Sequence, residues 1–241
     1  MIPPDGQGSE QGPPPPPADT LSRRAVLTSL TTAAAIGAVL GTPPSSMPGP
    51  ALAADGHQVG IGPTETSCIE SLTRIEQDGD ALNGFGYLTS VVGLDPDELF
   101  LNVATRSEAT ARFTAYGVAT VIGRSILENV FSIDAEGQLA IYFQASGGAS
   151  FDQPASFATG HRIARYAVRF QCINTVIAPN QGLFKLAADL QQLQADDFSI
   201  AGQRRRFGRE HVRLRMQGQG SGIHDAPRAS LVVASNFVVV S

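Results

Sequence analysis

From about Leu82 to the last residues, apolar and polar side chains alternate with a period of two, as in a strand with one buried face. Phe85, Tyr87, Thr89 and Val91 share one face, and Leu94-Asp95-Pro96-Asp97-Glu98 reads as the turn that follows. Ala111, Phe113, Ala115, Gly117, Ala119 and Val121 line one side of a long strand. Leu127, Asn129, Phe131 and Ile133 form the next, and Asp134-Ala135-Glu136-Gly137 reads as a hairpin turn of acidic and small residues. Leu139, Ile141, Phe143 and Ala145 then resume the alternation. Past a Gly-rich stretch, 147–160, Tyr166, Val168, Phe170 and Cys172 oppose Arg165, Arg169 and Gln171. After the turn Pro179-Asn180-Gln181-Gly182, Phe184, Leu186, Ala188 and Leu190 oppose Lys185, Asp189 and Gln191. Leu214 and Met216, then Leu231, Val233, Ser235, Phe237 and Val239, complete the series. The best helical stretch, 65–76, is short.

A meander of this kind has one apolar face to bury, and closing the sheet on itself also removes its edges. The expected fold is therefore all-β: an antiparallel closed barrel of about eight strands over residues 82–241, preceded by an N-terminal segment, 54–81. A β-sandwich is the alternative, and it relies on longer crossovers than these turns provide. A barrel of this size is either filled by its own side chains or holds one small ligand.

Residues 1–53 have a different character. Pro, Gly, Ser and Gln dominate the start, through the run Pro13 to Pro17, and that composition predicts disorder. Ser22-Arg23-Arg24-Ala25-Val26-Leu27, a mild apolar stretch over 25–40 and the small-residue end Ala51-Leu52-Ala53 follow the layout of a signal peptide. The arginine pair Arg23-Arg24 after a serine, with Leu27 three places on, resembles the twin-arginine export signal of bacteria. That resemblance implies the twin-arginine machinery as a partner, cleavage after Ala53 and an exported mature chain. The apolar stretch is shorter than the roughly 20 residues of a membrane helix, so no stable span is expected after cleavage.

With 17 basic against 22 acidic residues the formal charge is −5, which excludes a duplex-nucleic-acid binder that must neutralise many phosphates. Cys68 and Cys172 would meet an oxidising compartment after export, where a disulfide can form. Cys172 lies on an apolar face, where a buried thiol is equally at home. The four histidines, His57, His161, His211 and His224, show no ligand spacing, so no metal is expected. A nucleophile elbow and a phosphate-binding loop are both missing from the sequence, and no cofactor is expected.

Three features carry a resemblance to the allene oxide cyclase, dirigent and lipocalin-like barrels. They are the strand Ala111–Val121 with its Gly117, the strand Ile141-Tyr142-Phe143, and the loop Phe151-Asp152-Gln153-Pro154. The resemblance implies an exported barrel that accommodates a small apolar molecule, and a cofactor-free cyclase or isomerase if it is an enzyme. Tyr87, Phe113, Asn129, Phe131, Phe143, Tyr166 and Phe170 are the candidate lining residues, with Ser235 as a further inward polar group and Asp152 on a loop placed over the mouth. The competing expectation is a filled barrel that docks another macromolecule. Its contact would be the loop 147–160 or the arginines Arg204, Arg205, Arg206, Arg209, Arg213 and Arg215.

Overall fold

The alternating segments are strands in the structure, a computed structural model that describes residues 57–225 and 228–241. The predicted export signal with Arg23 and Arg24, its cleavage site and the leader lie outside the described residues.

Eight strands close into an antiparallel barrel. They are β2 (Ser67–Asp78), β3 (Ala81–Val91), β4 (Phe113–Leu127), β5 (Val130–Phe143), β6 (His161–Ala178), β7 (Gln181–Ala195), β10 (Arg213–Asp225) and β11 (Arg228–Val240). Around the ring the order is β10-β11-β2-β3-β4-β5-β6-β7. A second sheet of three short strands, β1 (His57–Val59), β8 (Asp197–Ile200) and β9 (Gln203–Phe207), has β9 in the middle. Its β8 and β9 are inserted between β7 and β10, at one end of the barrel, and β1 joins them from ahead of β2. Two-residue turns at the other end join β2 to β3, β4 to β5 and β6 to β7. Gly79, Glu128 and Asn180 take positive φ of 61°, 53° and 57° there, the twist that lets so short a loop reverse a strand.

Strand β7 shows how the sequence makes the wall. Phe184, Leu186, Ala188, Leu190 and Gln192 are buried while the residues between them are exposed, so one face is inside along its whole length. On the outside, Glu136, Arg169, Asp189 and Arg215 stand side by side on β5, β6, β7 and β10. Arg169 pairs with Glu136 at 3.4 Å and Arg215 with Asp189 at 3.2 Å. This alternating row opposes any slip of one strand past the next. The sheet coils tightly where inward glycines let backbones meet: a Cβ on Gly86 would run into the Leu72 carbonyl oxygen, and one on Gly220 into that of Val232.

Two local expectations are corrected. Asp134-Ala135-Glu136-Gly137 is the middle of β5, not a turn; Asp134 and Glu136 face out while Ala135 is fully buried. The actual turn is Glu128-Asn129. The region 65–76 is strand β2 from Ser67 onward, not a helix, because Ile69, Ser71, Thr73 and Ile75 all pair along the inner face with β11.

Loops cover the outer face of β3. Helix α1 (Pro96–Leu99) starts with a capping box in which the Asp95 amide donates to Glu98 Oε2 at 3.0 Å. Glu98 also accepts from Arg205 Nη2 of β9 at 3.3 Å, with both side chains nearly buried. Phe85 and Tyr87 point out of the barrel into these loops. Phe85 meets Phe157 of the 3-10 helix Pro154–Ala158 at 5.5 Å, and Tyr87 meets Phe100 at 6.2 Å and Phe151 at 6.3 Å. The Thr114 hydroxyl donates to the Phe157 carbonyl at 2.8 Å, and Gln144 Nε2 donates to Thr114 Oγ1 at 3.0 Å. The loop 147–160 is thereby fixed on the outer wall, not over a mouth.

Candidate functional site

The inner wall divides into a filled floor and a looser middle. At the end that carries the three-stranded sheet, inward-facing Phe113 packs with Phe143 at 5.2 Å, Phe198 at 5.5 Å and Phe207 at 6.3 Å. Leu88, Ile141, Tyr166 and Leu214 fill the same level, each with no more than 2% of its surface exposed. Gln192, 1% exposed, fastens this floor: its Nε2 donates to the Phe207 carbonyl at 2.8 Å and its Oε1 accepts the Arg209 amide at 3.0 Å.

Above the floor, Thr73, Ile75, Leu139, Val168, Phe170 and Met216 alternate with outward residues and so point inward, yet each is only half-buried. A side chain in the middle of a closed wall keeps accessible surface only where open space remains inside. Towards the hairpin end, Cys172, Phe184, Leu186, Leu231 and Val233 form one buried group, and Leu82, Val121 and Ala135 another.

The polar groups on this wall are hydroxyls and amides. Ser71, Asn174 and Ser235 are buried and face inward. Ser71 Oγ and Thr73 Oγ1 are 3.4 Å apart. Asn174 Oδ1 and the Tyr166 hydroxyl are buried with no hydrogen-bond partner among the described residues. Burial pushes the Cys68 thiol up to about 11 and the Cys172 thiol up to about 12. Burial, with a smaller contribution from Cys68, raises Tyr166 as well. All three groups are therefore neutral near pH 7 and act as weak donors, not bases.

Of the sequence candidates, Phe170 lies half-buried at mid-barrel and Phe131 half-buried near the hairpin end, both on the inner wall. Phe113, Phe143 and Tyr166 also face inward but belong to the floor. Two candidates are misplaced. Tyr87 lies on the outer face beneath the loops, because its strand carries aromatics on the side that the loops cover. Asn129 is an exposed turn residue whose Nδ2 donates to the Val176 carbonyl at 3.4 Å, since β4 ends at Leu127. Cys68 and Cys172 are free buried thiols, not a disulfide. They sit in different buried groups, Cys68 at the floor and Cys172 six residues further along β6 than Tyr166. Asp152 is on the exposed outer loop, while Ser235 is inward and buried as expected.

Sequence reasoning missed Ser71 and Thr73, which the helical assignment of 65–76 concealed, and Asn174, which continues the inward face of β6 past Cys172. The arginine run is largely neutralised within the fold. Arg204 Nε donates to Asp197 Oδ2 at 2.9 Å, Arg206 lies 3.9 Å from both Asp197 and Glu210, and Arg205 is buried against Glu98.

No protein-family model matches the chain, and no curated protein matches its sequence.

Proposed function

We propose that this barrel holds one small apolar molecule in the space above its aromatic floor, and that the chain is exported by the twin-arginine route to do so outside the cytoplasm. The observation that carries the binding reading is the half-buried state of inward Val168, Phe170, Leu139 and Met216 at mid-barrel. Concave apolar walls with a few polar groups are the ordinary form of a small-molecule site. Neutral thiols and hydroxyls on the wall favour holding a guest over proton transfer, and binding is therefore preferred to the cyclase or isomerase chemistry that the family resemblance implies. The neutralised arginines count against the competing role as a filled docking module.

Val168→Phe separates the two. The full chain should bind Nile red with enhanced fluorescence, and apolar competitors should displace it. In a hollow barrel the larger ring occupies the void, so dye binding falls while the urea midpoint holds or rises. In a filled barrel the same change overpacks the interior and costs about 1–3 kcal/mol. A destabilised variant, or a parent chain that takes up no dye, overturns the proposal.

A further inference from the structure

We infer that the guest is a neutral, oxygen-bearing apolar molecule, an alcohol or a ketone, whose oxygen is held by Ser71, Thr73 and Ser235. The inference rests on the binding reading above and specifies its chemistry.

Ser71 of β2 and Ser235 of β11 are directly paired across neighbouring strands, and Thr73 follows on the same inner face. Ser235 is 7% exposed, and its hydroxyl makes no side-chain hydrogen bond seen among the described residues. Room for that hydroxyl comes from Gly218 opposite: a Cβ there would stand 2.7 Å from Ser235 Oγ. An interior hydroxyl without a partner is unfavourable, and a guest that supplies one recovers the loss.

The far wall has the opposite character. In the eight-strand ring β6 lies four strands from β2 by either path, so the hydroxyls look across at the stripe of Val168 and Phe170. At this level the space is thus polar on one side and apolar on the other, with the Tyr166 hydroxyl and the Asn174 amide beyond either end of the Val168–Phe170 stripe. Among the described residues of β2, β6, β7 and β10 no charged side chain faces this space, and Arg124 of β4, level with inward Ile133 at the hairpin end, is paired with Asp80. Glu70, Arg74 and Glu76 of β2 are on the outer face, where Arg74 Nε lies 3.0 Å from Glu76 Oε1. Arg165 and Arg169 of β6, Lys185 and Asp189 of β7, and Arg213 and Arg215 of β10 face outward too. A carboxylate would be desolvated here without a cation. A pure hydrocarbon would offer Ser235 no partner. A neutral oxygen meets both conditions, and because a serine hydroxyl can donate or accept, an alcohol and a ketone are both served.

The test displaces Nile red from the full chain with decan-1-ol, decan-2-one, decanoate and decane. The expected result is that the alcohol and the ketone compete at concentrations at least roughly fivefold below decanoate, the effect of one buried hydrogen bond. Ser71→Ala and Ser235→Ala together should weaken the alcohol and the ketone by a similar factor and leave decane unchanged. Such small replacements leave the wall intact, and the urea midpoint of the variant verifies it. If decanoate competes as well as decanol, or the serine changes weaken all competitors alike, the oxygen-binding inference fails while the binding reading stands. If the parent chain binds no dye, both fail.

Discussion

At one end of the barrel Phe113, Phe143, Phe198 and Phe207 make ring contacts at 5.2–6.3 Å, and a buried glutamine ties the strands to the small sheet that closes it. Towards the hairpin end, the buried residues form two small groups that share the half-buried Ile75, Ile133 and Phe170. The same strands run through both regions, so strand pairing does not explain the difference. What differs is which side chains sit on the inner face and whether another element covers them. Large rings met by a second sheet give a filled floor. Glycine and alanine on β3, β4 and β10 bring little bulk to the interior, and Val168, Phe170 and Met216 stay half-buried.

The strongest way to break this contrast is a pair of truncations of the same chemistry. Phe113→Ala removes a fully buried ring from the floor and should cost about 3–5 kcal/mol, whereas Phe170→Ala removes one that is only half-buried and should cost less than half as much. Equal losses in urea unfolding would mean that the interior is uniformly packed. Next in size is the tie between the floor and the outer loops. Glu98→Gln leaves the nearly buried Arg205 guanidinium without its counter-charge, and a loss of about 3 kcal/mol is expected. Hydrogen exchange should then rise first in α1 and β9, and exchange that rises equally along β6 and β7 would contradict the separation of the two regions.

The smallest expected effect is a pH dependence. The thiols ionise near 9.0 in the open chain, but burial holds them neutral up to about 11 for Cys68 and about 12 for Cys172. Below pH 9 both states keep the proton, and these groups give no slope. Between about 9 and 11 the unfolded chain sheds protons that the folded chain keeps, so stability falls by about 1 kcal/mol per pH unit for each thiol. Cys68→Ala and Cys172→Ala should each remove their share of that slope. A slope unchanged in both variants would show that the thiols are not in the desolvated positions described.

Much of the wall could be read from the order of residues. On β7 and β11 the alternation of Phe184, Leu186, Ala188 and Leu190, and of Leu231, Val233, Ser235 and Phe237, identifies the buried face correctly. It also placed Ser235, Phe131 and Phe170 on the inside. The failures have separate causes. Asp134-Ala135-Glu136-Gly137 has the composition of a turn, but its acids are outward residues of a long strand and its small residues are inward ones. Ser71 and Thr73 are inward in a segment with too few large apolar side chains to show its period clearly. Tyr87 alternates as expected, yet the face it marks is the outer one.

The period of two is a property of the extended backbone, so the order of residues alone settled that this chain makes strands, which residues share a side and that tight turns favour closure. It could not settle which side is the interior. That depends on what lies against each face, and for β3 the covering rings come from the segment that follows it, Phe100, and from a loop remote in sequence, Phe151 and Phe157. Only the closed tertiary structure turned Gly84 and Gly86 inward and Phe85 and Tyr87 outward, and only it brought the hydroxyls of β2 and β11 to face the apolar stripe of β6. Burial is decided by neighbours across the ring, and these are not adjacent along the chain.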